Sequence, residues 1–132
     1  MGRRTYESFP RRPLPGRPNL VLSRQVDYDL ASGAQRFENL PTALDHCRQQ
    51  ASECVFICGG QGVYEAALPL AHQMILTHVP DRVDDGDTYF PEWSEQEWEI
   101  VDEREEVGLR YLTYDRIAAP HVLSTPDPIA PL

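Results

Sequence analysis

An apolar run that ends in glycines constrains this chain more than any other feature. Residues 55–58 read Val-Phe-Ile-Cys, and after Gly59-Gly60-Gln61-Gly62 the apolar residues recur at helical spacing. A continuous apolar run of this length is typical of a strand covered on both faces of a parallel sheet. Met74–Val79 is a second such run. The two runs and the intervening helix predict a β-α-β unit with parallel strands, and therefore an α/β fold.

Local patterns predict further elements around this unit. They are a short helix over Gly2–Phe9, a proline-rich loop over 10–18, a strand over Asn19–Ser23, a helix over Pro41–Ala51 capped by Asn39, and a hairpin of Trp98–Glu105 with Leu109–Asp115. We expect one domain over residues 1–116, because a chain of 132 residues has no room for a second. Residues 117–132 are rich in proline and predict an extended or disordered tail.

The amino-acid composition excludes several classes of binding partner and of catalytic group. The net charge of −9 disfavours a surface for nucleic acid or anionic membrane, and no apolar run is long enough to span a bilayer. All 12 basic residues are arginine, which excludes a Schiff-base lysine and the lysine of a P-loop. Three cysteines without an apolar leader predict a reduced, cytoplasmic protein. The histidines share no ligand spacing, so no metal site is expected.

Four short segments could bind an anion. The glycines after residue 58 open a helix, where free N–H groups favour phosphate, although a tight turn without a ligand has the same pattern. Gly2-Arg3-Arg4-Thr5 could hold a pyrophosphate or form a solvated basic patch. Ser23-Arg24 follows a strand, where open α/β sheets place ligands. Arg17, in the rigid loop, could bind a carboxylate or lie on the surface without a ligand.

These segments, in this order, resemble the dihydrofolate reductase family over residues 1–116. The matching motifs are Met-Gly-Arg-Arg-Thr-Tyr-Glu-Ser, Pro-Leu-Pro-Gly-Arg-Pro-Asn-Leu-Val-Leu-Ser-Arg, Val-Phe-Ile-Cys-Gly-Gly-Gln-Gly-Val-Tyr, Leu-Thr-His and Gly-Asp-Thr-Tyr-Phe-Pro. The resemblance implies a mixed, mostly parallel sheet flanked by helices. It also implies NADPH-dependent reduction of 7,8-dihydrofolate to tetrahydrofolate, a step of one-carbon metabolism.

The resemblance also assigns residues to the two ligands. For NADPH it implies the phosphate-binding helix start, the adenine and 2′-phosphate contacts, and a second segment running to the nicotinamide: Gly2, Arg3, Arg4, Thr5, Leu22, Ser23, Arg24, Cys58, Gly59, Gly60, Gln61, Gly62, Val63 and Tyr64. For dihydrofolate it implies Phe9 and Leu14 as walls of the aminobenzoyl pocket and Arg17 as the partner of the glutamate carboxylate. Thr77 would support the pterin-binding carboxylate.

The pattern begins partway into the family. The segment that precedes it there holds the first central strand, the first helix and the pterin-binding carboxylate, so no catalytic residue is assigned in this chain. Glu7 is a weak substitute, since its place cannot be read from sequence. We expect impaired or no activity from the chain alone, and an open sheet filled by an oligomer or a complementing segment. Two alternatives stay open: a non-catalytic NADP-binding or oligomeric remnant, and a reductase for another pterin or a pyrimidine-like substrate.

Overall fold

A computed structural model describes residues 1–118, which form two compact units. The first, Met1–Ala67, contains helices α1 (Arg3–Ser8), α2 (Leu40–Gln49) and α3 (Gln61–Ala67) with strands β1 (Asn19–Leu22) and β2 (Ala34–Phe37). The second begins with the 3₁₀ turn Leu68–Leu70 and contains strands β3 (Gln73–His78), β4 (Trp98–Glu106) and β5 (Leu109–Arg116). The predicted mixed α/β class is confirmed. The predicted helices and hairpin are present, with shifts of one or two residues at their ends.

The first unit is built on a pair of parallel strands. β1 and β2 run side by side with Leu22 opposite Phe37, and Val21 is fully buried. Helix α2 packs on both strands and on α3, while α1 packs on β1. As predicted, Asn39 caps α2: its side chain accepts a hydrogen bond from the Thr42 N–H (3.0 Å), which satisfies a donor that the helix leaves free.

The second unit is an antiparallel sheet in the order β3-β5-β4. Its core consists of four buried side chains: Met74, Trp98, Leu112 and Tyr114. The hairpin between β4 and β5 turns at Val107 and Gly108, both with positive φ. Strand β4 is acidic, with five carboxylates against the single guanidinium of Arg104.

The parallel β-α-β unit predicted from the two apolar runs is wrong. Residues 55–58 pair with no strand in the described part of the chain, and the Phe56 side chain is 73% exposed. The second run does form β3, but β3 pairs antiparallel with β5 and buries only Met74. An apolar run becomes a strand only where a neighbouring strand takes up its backbone hydrogen bonds, and no strand within residues 1–118 does so for 55–58.

The resemblance implied a mostly parallel sheet. The described sheets differ from that expectation, because β1–β2 is their one parallel pair. Strand β2 was not predicted, since Ala-Gln-Arg-Phe lacks the apolar alternation of a strand and depends on pairing with β1. Residues 119–132 of the predicted tail lie outside the described residues. None of the helices within residues 1–118 is long and apolar enough to cross a membrane.

Candidate functional site

Three of the predicted cofactor segments meet through their backbones in the first unit. The Gly2 N–H donates to the Gly59 carbonyl across 2.7 Å, and Gly2 forms a parallel bridge with Leu22. The Leu22 N–H in turn donates to the Met1 carbonyl (2.8 Å). The start of α1, the end of β1 and the glycines before α3 therefore form one continuous surface.

Gly59 is required where it stands, whereas its neighbour Gly60 is less crowded. Gly59 has φ +94°, and a Cβ built on it would lie 2.8 Å from Cε2 of Tyr64, closer than real Cβ contacts. Gly60 lies beside Thr5, whose Oγ1 would be 3.4 Å from an added Cβ. The Tyr64 N–H donates to the Gly60 carbonyl (2.9 Å), so α3 begins directly after the double glycine. Burial, together with the nearby Cys58, raises the pKa of Tyr64.

Arginines surround the turn that follows β1. Arg36 of β2 donates from Nη1 to the Ser23 carbonyl (2.7 Å), and Arg3 of α1 donates from Nη1 to Oε1 of Gln25 (3.4 Å). Arg24 lies within the same turn and is exposed. The Gln25 N–H donates to the Ser23 hydroxyl, whose own proton is left to donate to a ligand. Sequence reasoning missed Arg36, because β2 was not recognised.

The outer face of α1 carries a separate polar cluster. Arg4 is exposed, and Arg3 lies 5.8 Å from the centre of the Tyr28 ring. The Tyr28 hydroxyl donates to Oε1 of Glu7 (2.7 Å), and desolvation together with this bond raises the pKa of Tyr28. Glu7 is exposed and its carboxylate is bonded to Tyr28, which is a surface position rather than the place of a catalytic acid.

A cavity of about 190 Å³ lies beside β1 in the first unit. Leu14 and Arg17 from the proline-rich loop line it, as do Leu22, Cys58 and Val63 from the cofactor segments. The structure thus brings together residues predicted for both ligands. Phe9, the other predicted pocket wall, is half-buried and ends α1, and it is not among the residues that line this cavity.

Asn19 is hydrogen-bonded to the proline-rich loop. Its Oδ1 accepts from the Leu14 N–H (2.8 Å), and its Nδ2 donates to the carbonyls of Leu14 and Arg17, both at 2.9 Å. Asn19 is 1% exposed, so these three bonds satisfy the polar atoms of its own buried side chain. Sequence reasoning read Asn19 only as the start of a strand. The sequence feature that could have indicated this role is an amide side chain at a strand position expected to be buried, directly after the rigid proline-rich loop.

Thr77 belongs to the second unit. It is an exposed residue of β3, opposite Tyr111 of β5 in the register of the antiparallel pair. Gln61, Gly62, Val63 and Tyr64 form the first turn of α3, as expected for the second cofactor segment. Gly62 faces open space, since nothing lies within 4 Å of a Cβ built on it.

Comparison with known proteins identifies the family. A family model described as dihydrofolate reductase matches residues 1–116. The chain belongs to the dihydrofolate reductase family. The match covers both the glycine-containing segments predicted to bind the cofactor and the loop that carries Arg17. The expected family membership is therefore confirmed.

Individual relatives carry the same name. The dihydrofolate reductase of Neisseria gonorrhoeae is 43% identical over 105 residues, which cover 80% of this chain and 62% of that protein. Dihydrofolate reductase HdrB of Haloferax volcanii is 37% identical over 123 residues (88% of this chain, 62% of that protein). The dihydrofolate reductase of Bacillus subtilis is 32% identical over 123 residues, covering 70% of its length. The chain spans about three fifths of the length of the first two relatives.

Proposed function

We propose that this chain supplies the NADPH-binding and folate-tail-binding part of a dihydrofolate reductase. The observation that carries the proposal is the junction of Gly2, Leu22 and Gly59, which joins the predicted cofactor segments beside a cavity that Arg17 lines. The reaction converts 7,8-dihydrofolate, NADPH and a proton into tetrahydrofolate and NADP⁺. The cofactor, when bound, supplies the hydride.

The residues at this junction suit a phosphorylated dinucleotide. An added side chain at Gly59 would collide with Tyr64, so glycine is needed to hold the turn that joins Gly2 to the start of α3. Arg3 and Thr5 at the start of α1 would hold the pyrophosphate, and Ser23 with Arg24 would bind the ribose 2′-phosphate. The remaining predicted cofactor residues, from Cys58 to Tyr64, would continue towards the nicotinamide.

The proposed binding residues for the folate tail lie on the proline-rich loop that Asn19 anchors. Arg17 would bind the glutamate carboxylate of the folate tail in a two-pronged ion pair, and Leu14 would contact the aminobenzoyl ring. Phe9 would contribute from the end of α1, and Thr77 would support the carboxylate that binds the pterin. The three free cysteines favour a reducing compartment, so we place this activity in the cytoplasm.

A second function for the chain alone is cofactor binding without turnover. The position of Glu7 favours it, because that carboxylate is exposed and engaged by Tyr28 rather than available as an acid for the pterin. In this case a partner strand or a second copy would pair with residues 55–58, whose backbone groups lack a strand neighbour within residues 1–118.

Binding and turnover measured on one sample test both functions. We expect NADPH to bind by titration calorimetry, and Arg24→Ala to weaken NADPH more than NADH by about 1.5–3 kcal/mol. No binding at millimolar NADPH would contradict both functions, and equal weakening of both cofactors would contradict the role of Arg24. Oxidation of NADPH at 340 nm on addition of dihydrofolate would favour the enzyme, and binding without it the non-catalytic role.

A further inference from the structure

Three arginines from separate elements converge on one short turn. Arg24 lies within residues 23–25, Arg36 from β2 bonds the Ser23 carbonyl (2.7 Å), and Arg3 from α1 bonds the Gln25 side chain (3.4 Å). Arg36 is half-buried between the strands and the turn, which fixes its guanidinium more firmly than that of an exposed arginine. Two guanidinium groups are therefore hydrogen-bonded to this turn, and a third arginine lies within it.

The arginines at this turn have no carboxylate ion-pair partner among the described residues. The chain as a whole carries a net charge of −9, yet within residues 1–118 none of the three arginines forms an ion pair with a carboxylate. Holding like charges together costs free energy unless a counter-charge is bound. Arg36 uses one of its N–H donors on Ser23 and keeps others for a ligand. A phosphomonoester, which carries close to two negative charges at neutral pH, has the right chemistry.

We propose that Arg36 is a specificity-determining residue that favours a cofactor with a phosphate on its adenosine ribose. This inference rests on the proposed function, since the ligand is taken to be NADPH. Arg36 acts in two ways: its bond to the Ser23 carbonyl fixes the turn, and its positive charge adds to that of Arg24. A role through charge predicts that only phosphate-bearing ligands depend on it.

The test compares ligands that differ only by that phosphate. Dissociation constants for NADPH, NADH, 2′,5′-ADP and 5′-AMP are measured by calorimetry for the wild type, Arg36→Gln and Arg36→Lys. We expect Arg36→Gln to weaken NADPH and 2′,5′-ADP roughly tenfold, the size of one short-range charge interaction in partly screened surroundings, and to change NADH and 5′-AMP less than about twofold. Arg36→Lys keeps the charge and is expected to retain most of the preference.

Arg48→Gln is the matched control. Arg48 lies on α2 in the same unit, is exposed and pairs with Asp45 (2.8 Å), so this variant makes the same change in net charge away from the turn. It is expected to leave the ratio of the NADPH and NADH dissociation constants unchanged.

The outcomes separate Arg36 from the proposed function. A wild type that binds neither NADPH nor 2′,5′-ADP contradicts the function itself. A wild type that prefers NADPH, with Arg36→Gln weakening both cofactors equally, contradicts only the role of Arg36. If Arg36→Gln fails to fold by circular dichroism, Arg36→Lys decides: retained preference agrees with the charge-based role, and complete loss of preference overturns it.

Discussion

The ring of Tyr64 lies against Gly59 so closely that an added Cβ would meet its Cε2 at 2.8 Å. We expect Gly59→Ala to lower the free energy of unfolding by about 2–4 kcal/mol, because strain at φ +94° adds to the steric clash. Urea unfolding measures the change. Gly62→Ala is the control, since its Cβ would meet nothing within 4 Å and alanine favours the helix by up to about 1 kcal/mol. Equal stability of the two variants would contradict the clash.

Tyr6 buries a hydroxyl that has no hydrogen bond within the described residues. Tyr6→Phe keeps the ring, over which Arg12 stacks at 5.9 Å, and removes the unsatisfied group. We therefore expect the free energy of unfolding to stay level or rise by about 1 kcal/mol. Tyr28→Phe, which breaks the bond to Glu7, is the comparison and is expected to be neutral or slightly destabilising. A marked loss of stability in Tyr6→Phe would mean that its hydroxyl has a partner.

Asn19→Leu removes three hydrogen bonds to backbone groups at a buried position. We expect a loss of about 2–4 kcal/mol in the free energy of unfolding, because the groups of Leu14 and Arg17 would be left without partners. Affinity for folate is expected to fall more than affinity for pteroate, which lacks the glutamate carboxylate.

The Arg17→Ala background provides the control for that difference. Without the guanidinium, Asn19→Leu is expected to affect folate and pteroate alike, because there is no charged group left to position. If the difference between the two ligands persists in the double variant, Asn19 does not act through Arg17.

Cys47 gives a pH dependence with a defined sign. Burial raises the pKa of its thiol above the ordinary value of 9.0, so the folded chain favours the protonated form. The unfolded chain then ionises first as the pH rises past 9.0, and the stability contributed by Cys47 is lost through the folded-state pKa. Cys47→Ala is expected to lose less stability than the wild type as the pH rises above 9.0. If the free energies of unfolding of the wild type and Cys47→Ala, measured in urea, fall in parallel as the pH rises, the prediction is contradicted.

Phe56 tests whether residues 55–58 associate with other chains. Its side chain is 73% exposed in a segment without a strand partner in the described part. We expect the purified chain to self-associate in sedimentation velocity runs, and Phe56→Glu to shift it towards monomer. Val26→Glu, at another exposed apolar side chain (80%), is the control and is expected to change the association less.

Elements with strong local signals were predictable from the sequence. The cap at Asn39, the proline at the start of α2 and the glycine between β4 and β5 each act within a few residues, and all lie where expected. The pairing of strands depends on distant segments, so the run at 55–58 and strand β2 were misjudged. The motifs placed Gly2 and Gly59 in one site, but Asn19 and Arg36 act through backbone carbonyls, which no side-chain pattern reveals.

The acidic character of β4 has a practical consequence. Among the described strands, β4 lies at the edge of its sheet, where its backbone could pair with a strand of a neighbouring molecule. Its five carboxylates make such pairing electrostatically unfavourable. That protection weakens with ionic strength, because the screening distance shrinks from about 10 Å at 0.1 M salt to about 3 Å at 1 M. We therefore expect this edge to stay unpaired when the protein is stored at low ionic strength. High salt, or acid that protonates the carboxylates, is expected to favour pairing between the β4 strands of neighbouring molecules.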